Sequence, residues 1–498
     1  MSGITTPFVS LLLLDAVFIA AVLALLLPWA KAKHAGWAVL KRNFVGYFSN
    51  PTGYLFILMF VAVCSLCAFF PHDFFNNNLA TLHQLNSRFT WVMLVYVATI
   101  TMGIWSEERR QGTDELLLTV PASDWDIVLG KYLAAVAIYS VSLLFSQVAN
   151  FLVLAFLSEG SIDIGLFATT YLGYWLLGLA MLALGMVGSF LTRNLTIGFI
   201  LGVLFNLPLV LSAQADSFVG SDLARSLARF SYDEQFLDFG RGVISGRSVI
   251  FFLSIIAIGL YLSVVLVGRR HWRGGRDGKS MLGHYLIRAL SLLVFSASLT
   301  AFFAYRDPLR FDGTSARVNS LSSSTLGQLD RLKAVLSEKN ARSVVVEAFI
   351  SQQLPEDYAR VKLDLVGKLR ELEAKSGNRI VVNVFDDLDA YSDEATRARE
   401  RYGIQPQTVM VRERGAIRQE DVFMGVAFTS GLEEVVVPFF DQGIPVEYEL
   451  LRSICTVTDT KRKRLGIVNT DAQLFGGFDM QRMSQIPKQL IVEELEKQ

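Results

Sequence analysis

The sequence predicts an α-helical polytopic membrane domain with about eight transmembrane helices, followed by an extracytoplasmic α/β domain. The chain of 498 residues is 52% hydrophobic and only 18% charged, which is too apolar for an ordinary soluble protein. Its charge is also unevenly placed, because residues 306–498 hold 27 of the 46 Lys and Arg and 30 of the 46 Asp and Glu. Long apolar runs fill the part before residue 306, and helical patterns alternate with apolar strands after it.

Eight apolar runs are candidates for crossing a hydrocarbon core, which takes about 20 helical residues. The first run could instead be a signal peptide, with AKA at 30–32 as its cleavage site. Residues 1–7 contain no Lys or Arg, however, and the positive charges follow the run, which favours an uncleaved helix with its N-terminus outside. The runs lie at about 8–27, 53–70, 89–105, 132–157, 165–191, 195–213, 248–268 and 286–305.

Positive charges in the loops predict the orientation. With the N-terminus outside, the inner segments together hold 14 Lys and Arg, whereas the outer segments hold 5. Because cytoplasmic loops carry the excess of positive charge, the chain is predicted to be a multi-pass protein of the bacterial cytoplasmic (inner) membrane with an extracytoplasmic C-terminal domain. The inner segments are 28–52, 106–131, 192–194 and 269–288, and the outer segments are 72–88 and 214–247.

Residues 29–52 are basic and aromatic. Lys31, Lys33, Lys41 and Arg42 meet no acidic residue in this segment. Such a composition predicts an amphipathic helix that lies in the interface and contacts membrane lipid, ending before Pro51.

A charged stretch, SEERRQGTDELLLTVPASDWDIVLGK, runs from Ser106 to Lys131 between two apolar runs. It is too charged to remain in lipid and is therefore predicted to lie in water on one face. Short helices of mixed charge can bind in the groove of a partner protein, where ion pairs would form. The charged residues that begin this stretch are Glu107, Glu108, Arg109 and Arg110.

No nucleotide-binding site is predicted in this chain. GGRDGKS resembles a phosphate-binding loop, but Arg273 occupies the position where the pattern needs its first glycine, and no strand precedes it. A basic anchoring loop is the preferred interpretation. No cofactor or metal is predicted, so ATP and Mg would be bound by a separate ATPase. The net charge near zero gives no reason to expect a nucleic-acid partner.

The C-terminal part alternates helices with strands, which predicts an α/β sandwich with some parallel sheet. The last segment, ending IVEELEKQ, has the pattern of the first helix of a further unit, so the sequence is either a fragment or ends there. Helices are predicted at 322–339, 355–375, 393–402 and 446–458. Strands are predicted at 343–350, 379–386, 408–413, 420–428, 433–440 and 464–469.

The C-terminal domain lacks the patterns of an enzyme. It has no G-x-S-x-G or G-x-G-x-x-G pattern, and no His follows His284, which removes the usual general base. The acidic run at 385–394 could bind a divalent cation, but a solvated loop and helix cap is the better interpretation. The sequence therefore predicts a binding or mechanical module.

Two sets of motifs resemble known families. The 106–131 stretch, SNPTGY at 49–54 and FSYDEQFLDFGRGVIS at 230–245 are similar to type-2 ABC exporter permeases of the gliding-motility (GldF-like) and nitrous-oxide-accessory group, over about 37–268. Residues 306–498 resemble a GldG-type auxiliary domain. The motifs that carry the second likeness are ARVNSLSSST, AFISQQLPEDY, the Gly403-Ile404-x-Pro406 turn and VEYELLRSI.

The resemblance implies four parts of the chain. Residues 1–36 hold an extra transmembrane helix and the start of the basic segment, and residues 37–268 form the permease domain. Residues 269–305 form a cytoplasmic basic loop and anchor helix, and residues 306–498 form the GldG-like domain.

The resemblance also implies a function. Two permease units would pair as a homodimer or heterodimer, each docking a separate ABC ATPase, to export or extract an unknown substrate. The outer domain would bind an extracytoplasmic protein or polymer. The implied ATPase-coupling residues are Glu107, Glu108, Arg109, Arg110, Gly112, Thr113, Glu115, Pro121, Trp125 and Lys131.

Two alternatives stay open. One is a non-transporting, ATP-driven membrane machine that acts on an envelope partner, as in gliding motility. The less favoured one is a membrane-anchored enzyme.

Overall fold

The computed structural model describes most of the chain, which divides into two compact units, Met1–Asn319 and Ser320–Gln498. The described residues are 2–70, 81–118, 122–157, 162–217, 227–268, 282–305, 309–314, 319–338, 343–351, 354, 356–377, 379–388, 392–413, 416–441, 443–458, 477–479 and 484–486.

The first unit is helical. Its helices are α1 (Ser2–Ala32), α2 (His34–Phe48), α3 (Pro51–Ala68), α4 (His83–Thr101), α5 (Gly103–Gln111), α6 (Thr113–Leu118), α7 (Asp124–Leu157), α8 (Ile164–Phe190), α9 (Leu195–Leu211), α10 (Tyr232–Gly240), α11 (Gly246–Gly268) and α12 (Leu282–Tyr305). Short strands β1 (Val243–Ser245) and β2 (Arg310–Asp312) complete it.

All eight predicted apolar runs form helices, which confirms the predicted membrane fold. Within the described residues, seven helical stretches are long and apolar enough to cross a membrane, and the bent pair α2–α3 makes an eighth if it counts as one span. The bend between α2 and α3 is 76°.

Helix α8 lies at the centre of this unit. It is apolar on all sides and is buried along most of its length, with α4, α7, α9 and α11 packed around it. Tyr139 and Tyr132 of α7 donate hydrogen bonds to the carbonyl oxygens of Tyr174 (2.7 Å) and Leu179 (3.0 Å) of α8. Hydrogen bonds of this kind hold helices together in lipid, where the tails are as apolar as the side chains.

Strands β1 and β2 pair in antiparallel fashion, with Ile244 opposite Phe311. Arg310, whose side chain is buried, donates two hydrogen bonds to the Asp238 carboxylate, at 3.1 and 3.3 Å. Burial raises the pKa of Asp238, but the positive charges of Arg310, Arg247 and Arg241 outweigh it and hold the pKa below its usual value.

The second unit has α and β elements. They are α13 (Ser323–Glu338), β3 (Val344–Ser351), α14 (Glu356–Ser376), β4 (Ile380–Leu388), α15 (Asp393–Tyr402), β5 (Gln407–Glu413), β6 (Ala416–Val422), β7 (Met424–Ser430), β8 (Glu433–Val437), α16 (Val446–Thr458), β9 (Gly477–Asp479) and β10 (Ser484–Ile486).

A four-stranded sheet of order β4-β3-β7-β8 forms the core of this unit. Strands β3 and β4 are parallel, whereas β7 is antiparallel to both of its neighbours. Val346 and Ala348 of β3 lie in a cluster with α14 and α16, and Phe349 lies in a cluster with α15. Because strand side chains alternate between faces, helices cover both sides of the sheet.

The structure corrects one predicted strand. The predicted segment 420–428 is divided between β6, which pairs with β5, and β7, which belongs to the four-stranded sheet. Phe423 lies between the two strands and is buried, so the apolar run continues through the point where the chain changes sheets. The predicted strand at 464–469 and the predicted last helix lie outside the described residues.

Candidate functional site

The charged stretch begins with a break between α4 and α5. Ser189, near the end of α8, accepts hydrogen bonds from the backbone N–H groups of Trp105 (3.0 Å) and Ser106 (3.3 Å). Its hydroxyl donates to the carbonyl oxygen of Met102 at 3.0 Å. These bonds satisfy backbone groups near the start of α5 and fix that helix to the end of α8.

A glycine turn ends α5. Gly112 has φ +72°, in the left-handed region that glycine adopts without a Cβ clash, and it caps the C-terminus of the helix. Thr113 then begins α6, and its hydroxyl donates to the carbonyl oxygen of Glu108 at 3.4 Å. Glu115 lies in α6, and Pro121 lies outside the described residues.

Glu108 connects three helices. One carboxylate oxygen lies 2.5 Å from Nζ of Lys131 on α7, and the other lies 2.5 Å from a guanidinium nitrogen of Arg42 on α2. The Glu108 side chain is 15% exposed and that of Lys131 is 0% exposed. A buried ammonium is tolerated only when it is paired and hydrogen-bonded, so Glu108 compensates the charge of Lys131.

Two further contacts complete the surroundings of Lys131. Nζ donates to the carbonyl oxygen of Ile104 at 2.6 Å and lies 4.4 Å from the centre of the Trp105 ring, which is itself buried. The backbone carbonyl, the Glu108 carboxylate and the face of the Trp105 ring each stabilise the positive charge of Lys131. Lys131 therefore fixes α5 to α7 from inside the protein.

Arg109 also points inward. Its guanidinium donates to the carbonyl oxygen of Phe190 and lies 5.0 Å from the centre of the Phe190 ring. A longer ion pair of 3.9 Å connects Arg109 with Asp114 of α6. The side chain thus joins α5 to the end of α8 and to α6.

Helix α2 packs against the beginning of α7 at a crossing of two glycines. A Cβ on Gly130 would lie 2.6 Å from the carbonyl oxygen of Gly36, so the crossing admits no side chain at that position. Lys33 pairs with Asp126 at 3.4 Å on the same side. Gly36, Asp126 and Ser189 were not among the predicted site residues, because their partners are far apart in sequence.

Other side chains of the stretch point to solvent. Glu107 and Arg110 are 51% and 56% exposed and form only a loose 3.9 Å pair. Trp125, in the first turn of α7, is 44% exposed. A surface with an exposed aromatic ring and unburied charges of both signs is suited to binding another protein.

The charged stretch and the β1–β2 pair contact opposite ends of α8. Arg109 and the first turn of α5 contact the C-terminal end, at Ser189 and Phe190. Near β2, the Gly313 carbonyl lies so close to Gly165, at the N-terminal end, that a Cβ there would overlap it. The 27 residues of α8 span about 40 Å, enough to cross a bilayer.

Comparison with known families finds matches to two parts of the chain. Residues 37–225 match the model described as ABC-2 family transporter protein. This part of the chain is therefore similar to the membrane domains of that family. Residues 315–429 match a domain of unknown function, DUF7088. A search among curated proteins found no significant match.

The ABC-2 match supports a membrane permease of an ABC transporter and implies an ATPase as its partner. Such a domain is a component of a transporter and is not an enzyme by itself. Together with the apolar helices, it indicates an integral membrane protein. Among the described residues, no group of three or more His, Cys, Asp and Glu could hold a metal ion.

Proposed function

We propose that this protein couples a separate cytoplasmic ATPase to the export or extraction of a substrate, through the 106–131 stretch. The observation that carries the proposal is the division of α5 into two sides. Glu107 and Arg110 are exposed to a partner, whereas Glu108 and Arg109 are bound to other helices of the unit. A force applied to the exposed side is thereby transmitted to α2, α7 and α8.

The docking surface is testable by charge reversal. ATP hydrolysis should co-elute with the tagged native protein purified from its own membranes. It should be lost with the double variant Glu107→Lys, Arg110→Glu, which reverses exposed charges and breaks no buried contact. Arg229→Glu, an exposed site in the segment between α9 and α10, is the matched control and should keep the ATPase. Equal ATPase recovery from all three proteins would refute the assignment.

We assign the 106–131 stretch to the cytoplasm and residues 306–498 to the outside of the inner membrane. The excess of Lys and Arg in the inner segments supports this orientation. A cysteine at Arg110 or at Leu432, which is 98% exposed, provides a direct test in intact cells. An impermeant maleimide should label the second position and spare the first. Labelling of both from the same side would contradict the orientation.

The finer likeness to the gliding-motility group and to GldG supports a second candidate, a non-transporting machine that moves an envelope partner. One contact favours it: β2, which follows the last membrane helix, pairs with β1 between α10 and α11, and its Arg310 is bound to Asp238 of α10. A displacement of α10 would thus be passed to the chain that leads into the second unit. ATP-dependent flux of a lipid or polymer in proteoliposomes supports the transporter, and its absence in an ATPase-active complex supports the machine.

A further inference from the structure

An open apolar groove lies between α2 and the middle of α7. It is lined by Phe44, Val45, Phe48, Ser49 and Val141, and its volume is about 400 Å³. Val45 is exposed, and the groove belongs to a unit whose helices have the length and composition of membrane spans. In a bilayer, such a concave surface takes an apolar chain.

An exposed positive charge lies on the same face of α2 as the groove. Lys41 precedes Phe44, Val45 and Phe48 by three, four and seven residues, which places all four on one side of the helix. Lys41 is exposed. The nearby basic residues Lys33 and Arg42 are instead paired with acidic side chains, Asp126 and Glu108 respectively.

The order of these features along α7 matches that of an amphiphile. Gly36 of α2 contacts Gly130 near the charged beginning of α7, whereas the groove reaches Val141. The 11 residues between these two positions of α7 correspond to about 16 Å along the helix. Lys41 comes between Gly36 and the groove residues of α2, so the charge lies nearer the charged beginning of α7 than the aromatic rings do.

We propose that this groove binds one anionic glycerophospholipid of the bilayer. Lys41 would hold the phosphate of the headgroup, and an acyl chain would lie between Phe44, Phe48 and Val141. Charge complementarity selects an anionic lipid, because Lys41 is exposed beside the groove and α2 contains no acidic residue. Since Arg42 of α2 pairs with Glu108, this lipid would contact a helix that is itself bound to the partner of Lys131.

The test measures lipid binding by native mass spectrometry of the purified protein in detergent. Phosphatidylglycerol and phosphatidylcholine with identical acyl chains are titrated separately. The native protein should prefer phosphatidylglycerol about fivefold, the effect expected of one Lys near an anionic headgroup. Lys41→Gln should lose this preference, and Val45→Trp, which fills the groove, should weaken the binding of both lipids. Lys31→Gln, an exposed charge in the last turn of α1, is the matched control and should behave as the native protein.

Four results would overturn the proposal. One is an unchanged preference in Lys41→Gln, and another is unchanged lipid binding in Val45→Trp. The third is competition by inorganic phosphate with phosphatidylglycerol at equal concentration, which would indicate an ion site. Gel filtration monitors the folding of each variant. If Val45→Trp does not fold, Val45→Ser is used in its place. A second copy of the chain cross-linked at residue 45 would likewise assign the groove to a dimer interface.

Discussion

Replacing Glu108 by Gln removes the charge that compensates Lys131 while keeping the size of the side chain. Nζ of Lys131 then stays fully buried with neutral partners alone, namely the Ile104 carbonyl, the Trp105 ring and the oxygen of the new amide. Removing one partner of a buried pair typically costs about 3–5 kcal/mol. Glu108 itself is 15% exposed, so we expect the lower end, about 3 kcal/mol.

The matched control is Glu107→Gln. It makes the same chemical change one residue earlier on the same helix, where the side chain is half exposed and its pair is loose. Surface changes of this kind alter stability by less than about 0.5 kcal/mol. Comparison of the two variants therefore separates the loss of stability caused by breaking the buried ion pair from the loss caused by changing the net charge of α5.

Thermal denaturation in one detergent, followed by tryptophan fluorescence, measures the difference. Glu108→Gln should lower the midpoint clearly, and Glu107→Gln should not. Adding Lys131→Met to Glu108→Gln should recover most of the loss, because no uncompensated charge then stays buried. Equal midpoints for the two single variants, or no recovery in the double variant, would refute the assigned pairing.

Three further predictions concern the turn after α5 and the β1–β2 pair. Gly112→Ala places a Cβ at φ +72° and should cost about 1–2 kcal/mol in the same denaturation assay. Because the pKa of Asp238 is lowered in the folded protein, its contribution to stability is fully present above the unfolded pKa of about 3.9 and is lost as the pH falls below that value towards the folded pKa. Arg310→Met removes the largest of the positive charges that lower this pKa, so it should reduce the loss, measured as the change in denaturation midpoint between pH 7 and pH 3. Cysteines at Ile244 and Phe311 should form a disulfide on mild oxidation, seen as a mobility shift after proteolysis between them, because directly opposite antiparallel residues have the required Cα separation.

The secondary structure was largely predictable because it follows local patterns. Each apolar run of the first unit is a helix, and α16 has the predicted bounds, Val446–Thr458. The error at 420–428 has a physical reason. The buried Val422 at the end of β6 and the buried Phe423 continue the apolar run of β7, and only the pairing with different strands reveals the division.

The sequence locates the charged side chains of the 106–131 stretch along the chain, but it does not show which of them are buried and which are exposed. The sequence gathers Glu107, Glu108, Arg109 and Arg110 into one charged run, and nothing local distinguishes them. Their roles depend on Arg42, Lys131 and Phe190, which reach α5 from other helices. The pairing of β1 with β2 was not predicted for the same reason, since 64 residues lie between Ser245 and its partner Arg310.

The geometry of α5 also explains why charge and burial alternate in this run. Residues 105, 108 and 109 lie on one side of a helix, whereas 107, 110 and 111 lie on the other. Trp105 and Glu108 contact Lys131, while Gln111 donates to Glu107 at 3.3 Å on the exposed side. If a partner binds the exposed side and moves α5, the residues paired with Glu108 must move with it. Otherwise the buried ion pair breaks, which costs about 3 kcal/mol of stability. Under the proposed function, mutations can therefore separate the attachment of α5 to the other helices from the docking of the ATPase, although both depend on one helix of nine residues.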